Sequence, residues 1–213
     1  MVKVYRLFKR VIDICLSSIL LVVSSPLLLI LALSIFVSAG TPVIFKSDRV
    51  GKDKKIFVAY KFRTLVNGVK KRKDGLSDLI LINKLARYMR DTHLDELLQL
   101  VNILKGDISF IGPRPLPVPR YYYLKSKDPS WDKIFKIKPG MTCINQIARY
   151  SNSGLDKART LKGLKNIEKR NRLAFDKYYI KNESFFLDLK MLFWTIEYLF
   201  FGFFTKIFRK AEK

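Results

Sequence analysis

The feature that most limits what this chain can become is the run Val11–Ala39, which carries no Lys or Arg and a single acid, Asp13. A straight helix over it would be about 43 Å long, against about 30 Å of bilayer hydrocarbon, so a lipid-embedded form has to tilt or bend. Its midpoint supplies the means. In Ser24-Ser25-Pro26 the proline removes a backbone donor and crowds the preceding turn, which predicts a kink. Charge placement then separates crossing from turning back. Of the 41 Lys and Arg, Lys3, Arg6, Lys9 and Arg10 precede the run and the other 37 follow it. A single crossing would strand a basic cluster on the non-cytoplasmic side, whereas a re-entrant helix broken at Ser25-Pro26 keeps both clusters cytoplasmic. The re-entrant form is the expected one; hydropathy alone also allows a simple span. The run is too long to be the core of a cleavable signal peptide.

The other end also suits a membrane surface. Half of the 16 phenylalanines lie in Phe185–Phe208 with Trp194 and Tyr198, followed by Arg209, Lys210 and Lys213. Aromatic residues mixed with terminal cations favour helices lying among lipid headgroups. The expected organisation is a re-entrant anchor over 1–40, a small domain at the membrane interface over 41–184, and aromatic interfacial helices with a basic tail over 185–213. The expected fold class is mainly α with a few short strands and interfacial amphipathic helices.

The formal net charge of +23 calls for an anionic partner: lipid, nucleic acid or a phosphorylated substrate. Two cysteines, Cys15 and Cys143, form no disulfide framework and fit a reducing compartment, and the single histidine argues against zinc or a histidine triad.

Between the ends, Val43–Phe45 and Ile56–Phe62 read as short strands around a loop containing Asp48, Arg49, Gly51 and Lys52. Alternation in Tyr60-Lys-Phe-Arg-Thr64 sets Lys61 and Arg63 opposite Phe62. Val69–Lys73 reads as a solvated basic loop, and Asp78–Arg90 as a helix whose final cation, Arg90, precedes an acid pair.

That pair, Asp95 and Glu96, lies in a stretch expected to form one helix from Asp91 to Lys105. Thr92 with Asp95 reads as an Asp-containing capping box, and Lys105-Gly106 as the stop. Leu94, Leu97, Leu98, Val101 and Leu104 recur at helical spacing, while Asp95, Gln99 and Asn102 share a polar face. Taken alone, the two acids suit a helix's first turn and need no catalytic role.

Four of the eight prolines fall within Pro113–Pro119, so Arg114 sits on a stiff loop between Pro113 and Pro115. A guanidinium so placed suits bidentate phosphate contact. Tyr121–Ile137 is expected to be partly helical, Lys138–Thr142 a turn, and Leu155–Ile180 mostly helical and basic.

Together, Lys9-Arg-Val-Ile-Asp13, Ser25-Pro26, Lys61-Phe-Arg-Thr64, Leu94-Asp-Glu-Leu97, Asn102-Ile-Leu-Lys-Gly-Asp107, Gly112-Pro-Arg-Pro115, Lys138-Pro-Gly-Met-Thr142 and Asp176-Lys-Tyr-Tyr179 resemble the monotopic phosphoglycosyl transferases of the bacterial sugar transferase family. The match covers most of the chain. The resemblance implies a catalytic domain over 41–184 at the cytoplasmic face of the bacterial inner membrane, moving a phospho-sugar from a UDP-sugar to polyprenol (undecaprenyl) phosphate with Mg²⁺. It implies Asp95 as nucleophile in a ping-pong mechanism, Glu96 as metal ligand, Arg114 within the Pro113–Pro115 motif as phosphate binder, and Lys61, Arg90 and Asp176 near the site. A carboxylate attacking phosphorus splits the transfer into two steps, and fixed cations or Mg²⁺ neutralise the diphosphate. The chain departs from the family after Thr142: Cys143-Ile144-Asn145 replaces a Gly-Trp-Ala run, only Gln146 remains, and Arg149 is one position out of register with the family arginine. A membrane-anchored nucleic-acid-binding protein and a non-catalytic glycan-assembly scaffold are the competing readings, but no nucleic-acid motif appears and the acid pair is intact.

Overall fold

The computed structural model describes residues 2–66, 82–150, 152–165, 167–168 and 171–211. The basic loop expected at 69–73 and the first residues of the helix expected from Asp78 lie outside these.

The first helix, α1 (Val2–Ala39), runs without interruption through Pro26. Ser25-Pro26 therefore does not end the helix, contrary to the expected break. Pro26 cannot donate to the carbonyl of Val22 one turn back, and the Ser25 hydroxyl donates to that carbonyl instead at 2.7 Å. The acceptor freed by the proline is thus satisfied within the helix, as a lipid environment demands.

β1 (Ile44–Val50) and β2 (Ile56–Phe62) form an antiparallel hairpin, and β4 (Leu116–Pro117) pairs with the far edge of β1. Asp48 and Arg49 therefore lie in a strand; only residues 51–55 form the turn. The expected alternation holds for Lys61 and Phe62, and Arg63 lies beyond the end of the strand. Phe62 packs with Leu31 and Ile35 of α1 and with Met89, whereas Lys61 faces the other way. Arg63 donates to the carbonyls of Ala39, Gly40 and Thr41, closing the C-terminal end of α1 with a cation where the helix dipole favours one.

The helix expected from Asp91 is split. α2 (Lys84–Asp91) is capped by the Asn83 side chain, which accepts from the Ala86 amide, and closes with the Thr92 hydroxyl on the Tyr88 carbonyl. Thr92 so ends one helix rather than beginning another, and no capping box forms. His93 then takes a left-handed conformation (φ 61°), Leu94–Glu96 form a 3₁₀ turn, and α3 (Gln99–Lys105) begins only at Gln99. Gly106 ends α3 at φ 86°, the left-handed cap its sequence position predicts.

The polar face of α3 meets β2 rather than water. Asn102 is fully buried; its amide donates to the Val58 carbonyl at 2.7 Å and to Asp107 at 2.9 Å, and its oxygen accepts from the Tyr60 amide at 3.1 Å. One side chain thereby satisfies the free edge of β2 and fixes α3, with the acid turn before it, beside Lys61.

β3 (Ser109–Ile111) and β5 (Gly140–Thr142) pair in parallel. Their ends approach so closely that a Cβ on Gly140 would lie 2.0 Å from the Gly112 nitrogen, so only glycine fits. Gly140 donates to the Pro113 carbonyl and Gly112 to that of Thr142, which locks the proline loop against the Lys138–Thr142 turn. α4 (Val118–Lys127) and a 3₁₀ stretch over Pro129–Lys136 follow the loop, and α5 (Ile144–Tyr150), α6 (Asn152–Arg159) and α7 (Arg172–Asn182) build a core around Ile144, Ile147, Phe175 and Tyr179.

The last helix, α8 (Phe185–Ala211), turns Leu187, Met191 and Trp194 into that core and leaves Phe186 and Phe193 80% and 63% exposed. α1 does likewise, with Val22, Val23 and Val37 each more than 70% exposed. Two helices thus present apolar outer faces, and α1 is long and apolar enough over Val4–Ala39 to anchor in a membrane. Lys9 joins them: its ammonium reaches the Ile111 carbonyl (2.8 Å), Tyr179 (2.7 Å) and Asp188 of α8 (2.5 Å).

Candidate active site

Asp95 and Glu96 sit on the 3₁₀ turn between α2 and α3 and are 7% and 5% exposed. They differ sharply in company. One Glu96 oxygen accepts from Lys61 at 2.5 Å and also from Arg114. Burial alone would raise the Glu96 pKa, but Arg114 and Lys61 outweigh it and hold the carboxyl well below the usual range. No side chain or backbone amide among the described residues hydrogen-bonds the Asp95 carboxylate. Its burial and the neighbouring Glu96 charge push it up, against the pull of Lys61, Arg90 and Arg114, to about 6.

Arg114 is rigidly held. Its second terminal nitrogen donates to the Gln146 amide oxygen at 2.9 Å and to the Met141 carbonyl at 3.2 Å, so β5 and α5 fix the guanidinium that the proline loop presents. Gln146, the one family residue retained after Thr142, earns its place by this contact. Burial lowers the Lys61 pKa, and Glu96 opposes the shift. Arg90 lies at the rim, donating to Thr64 at 3.3 Å and acting on Asp95 through its charge.

Asp176 does not reach the acid pair. It is buried behind the proline loop, paired with Arg172 at 3.2 Å, and Arg172 in turn donates to the Arg114 carbonyl. Burial pushes Asp176 up to about 6 and Arg172 pulls against it. Arg172 also lies over the Trp131 ring, 5.7 Å from its centroid. Arg149, the residue one position out of register, is exposed on α5, and it is Arg172 that meets Asp176. Ser25 and Pro26 lie on α1, away from the acid pair's hydrogen bonds.

Two cations of this cluster are not singled out by the sequence. Arg172 had a signal, four residues before Asp176 on one helical face. Arg49 had none: it enters because β1 pairs with β4, setting it opposite Pro117, where it donates to the Pro115 carbonyl at 3.4 Å. Its Nε is buried without a partner among the described residues, and burial together with Arg114 pushes its pKa down to about 10.

Among the described residues no group of three His, Cys, Asp or Glu side chains could cage a metal ion. Mg²⁺ needs no such cage, since it binds through one or two carboxylates together with substrate phosphates and water. Glu96 fits an ion held jointly with a diphosphate, because Lys61 and Arg114 both bond one of its oxygens and no described residue bonds the other. What the site can do chemically is hold a phosphorylated molecule among the half-buried Arg49, Lys61, Arg90 and Arg114 and present to it a carboxylate that no described residue hydrogen-bonds.

Residues 4–202 match the family described as bacterial sugar transferase. The chain is 35% identical over 201 residues to a UDP-glucose:undecaprenyl-phosphate glucose-1-phosphate transferase of Klebsiella pneumoniae, covering 93% of this chain and 41% of that protein. It is 34% identical over 190 residues to the uncharacterised sugar transferase EpsL of Bacillus subtilis, covering 89% and 86%. To an undecaprenyl-phosphate galactose phosphotransferase of Salmonella typhimurium it is 33% identical over 215 residues, covering 89% and 40%. The chain spans about two fifths of the length of the Klebsiella and Salmonella proteins. Match length and the ordered motifs agree: the chain belongs to the bacterial sugar transferase family.

Proposed function

We propose that the chain transfers a phospho-sugar from a UDP-sugar to undecaprenyl phosphate on the cytoplasmic face of the bacterial inner membrane, releasing UMP, by a ping-pong mechanism through Asp95. The contrast within the acid pair carries this reading: Glu96 is neutralised by two cations, while Asp95 is buried beside the same cations with no hydrogen bond to its carboxylate from the described residues.

In the first step an Asp95 oxygen attacks the phosphorus next to the sugar. The Asp95 O–P bond forms, the P–O bond to UMP breaks, and UMP leaves with the electron pair. In the second, a phosphate oxygen of undecaprenyl phosphate attacks the same phosphorus and Asp95 departs as carboxylate. Both nucleophiles are already anionic at neutral pH, so neither step calls for a general base. A carboxyl with a pKa of about 6 is more basic than an ordinary Asp and still mostly ionised at pH 7. Glu96 with the donor's diphosphate would hold Mg²⁺, which supplies charge neutralisation at the leaving group. Arg114, pre-set by Gln146 and Met141, and Lys61 bind phosphate oxygens without a large ordering cost.

A re-entrant, monotopic anchor is part of the proposal. A helix crossing the bilayer once carries its ends to opposite faces. Here Lys9, Arg10 and Asp13 near one end of α1 bond to β3 and α3, while Arg63 of the same folded body holds the other end at Ala39–Thr41. Both ends therefore belong on one side, and the satisfied Ser25-Pro26 pair is where the helix can flex.

The test uses the full chain in nanodiscs with undecaprenyl phosphate, Mg²⁺ and a panel of UDP-sugars that begins with UDP-glucose. UMP release beyond one equivalent per enzyme is expected only when donor, acceptor and Mg²⁺ are all present, and when acceptor is withheld labelled phospho-sugar should remain on the protein with about one equivalent of UMP released. Normal turnover by Asp95→Asn would remove the covalent step.

A further inference from the structure

An apolar groove of about 260 Å³ lies where α1, α3 and α8 meet, walled by Leu20, Leu97, Leu100, Leu192, Ile196 and Leu199. It extends to Glu96 and Gln146, both of which bond the Arg114 guanidinium. Its hydroxyls are already engaged. Ser24 donates to the Leu20 carbonyl at 2.6 Å, and Thr195 bonds to the Met191 carbonyl at 2.8 Å and to Thr142 at 3.0 Å. Apart from His93, Glu96 and Gln146 at one end the lining is apolar, so a sugar or a uracil placed along the leucine walls would leave polar groups without partners, which is costly when buried. A hydrocarbon chain would not.

The groove is also continuous with the faces that meet lipid. Val22 and Val23 flank it on α1 and Phe193 on α8, all strongly exposed. Its occupant therefore has to be apolar along its length, reachable from the bilayer, and anionic at the end beside Glu96, where Lys61 and Arg114 converge on that carboxylate.

We propose that this groove holds the first isoprene units of undecaprenyl phosphate and so guides the acceptor's phosphate from lipid to the acid pair, entering between α1 and α8. The proposal rests on the acceptor assigned under the proposed function, and it gives donor and acceptor separate approaches: the nucleotide sugar from the cationic, aqueous side, the lipid along the helices. Separate approaches suit a two-step transfer, because UMP can leave without crossing the incoming chain.

Ile196→Trp and Leu20→Trp fill the groove from opposite walls. With the full chain in nanodiscs, each is expected to raise the KM for undecaprenyl phosphate about tenfold or more and to leave the KM for the UDP-sugar within about twofold, the scale at which a few methylenes discriminate in an apolar pocket. Ile196→Ala, which loses wall contacts without adding bulk, should move the acceptor KM in the same direction by a smaller factor. Phe193→Trp, on the outward face of α8, should leave it unchanged. Exchange of labelled UMP into the UDP-sugar without acceptor reports on the donor step and on folding in every variant. An unchanged acceptor KM in both Trp variants, or a rise in donor KM instead, overturns the proposal. Absence of exchange in the unaltered chain would sink the Asp95 intermediate, and the groove would then stand or fall on the acceptor KM alone.

Discussion

Two buried aspartates, Asp95 and Asp176, share a pKa of about 6 and the same leading cause, burial, yet they are built for opposite ends. Asp176 is fully enclosed and clamped by Arg172, which also grips the Arg114 carbonyl. Its charge is spent on holding the proline loop. Asp95 lies among more cations but bonds to none of the described residues, because Lys61 and Arg114 both converge on Glu96. A carboxylate that is locked stabilises a loop; one kept in a cationic field without a partner is available to react.

The largest effect that would break this comparison concerns turnover. Asp95→Asn should lower it at least about 10³-fold, the scale seen when a covalent nucleophile is lost. Thermal stability should hold or rise, since an unpartnered buried charge is removed. Asp176→Ala should do the reverse in kind: it leaves Arg172 beneath the loop without its carboxylate, costing about 3 kcal/mol of stability. Turnover should fall by about 10- to 100-fold through a misplaced Arg114, with Arg172→Met in the Asp176→Ala background restoring stability. Melting curves beside UMP release separate the two. An Asp95→Asn chain that melts markedly lower, or an Asp176→Ala chain that does not, would erase the distinction.

How far the sequence discloses this division depends on whether a residue's role is local. The apolar length of α1, the strand at Ile56–Phe62 and the glycine stop at Gly106 follow from spacing and backbone freedom, and they appear where expected. The Asp91–Lys105 helix does not, because His93 adopts a left-handed conformation just before the leucine pattern starts at Leu94, and the first residues of that pattern form a 3₁₀ turn ahead of α3. The same break puts Asp95 and Glu96 on a 3₁₀ turn rather than in a helix's first turn, so the expected dipole support is missing and Lys61 and Arg114 supply the charge instead. Arg49 shows the limit most plainly. Its place is set by the β1–β4 pairing, a contact between residues 49 and 117 that no local pattern encodes. Family motifs carried Asp176 to the right neighbourhood, but its role behind the loop depends on Arg172, which the motifs did not name.

The comparison can be sharpened within the acid pair by removing one of its two cations. Lys61→Met keeps the length of the side chain and deletes the ammonium, leaving Arg114 alone on Glu96. Because Lys61 also pulls the Asp95 pKa down, its loss should raise that pKa as well as weaken phosphate binding. A fall of about 10- to 50-fold in kcat/KM for the UDP-sugar is expected, larger at pH 6 than at pH 8. A pH-independent loss would confine Lys61 to substrate binding.

The smallest effect is the acid limb of the unaltered chain. Asp95 must be ionised to attack, and its folded pKa is raised from 3.8 to about 6. Protonation therefore removes the nucleophile as pH falls through that value, and activity declines on the acid side and levels off above it. A divalent cation shared with Glu96 adds positive charge beside the carboxyl and moves the limb further down, so about 6 is its upper bound. The donor step, followed as UMP exchange between pH 4.5 and 8, should thus lose about half its rate at or below pH 6, and the midpoint should rise in Lys61→Met. Asp176 titrates in the same range but inside a closed ion pair, where its protonation releases Arg172 and loosens the loop. That contribution differs in form: it shows in the melting temperature as well as in the rate. A rate midpoint that tracks the melting midpoint across pH, in both the unaltered chain and Lys61→Met, would assign the limb to Asp176 and leave Asp95 without its acid signature.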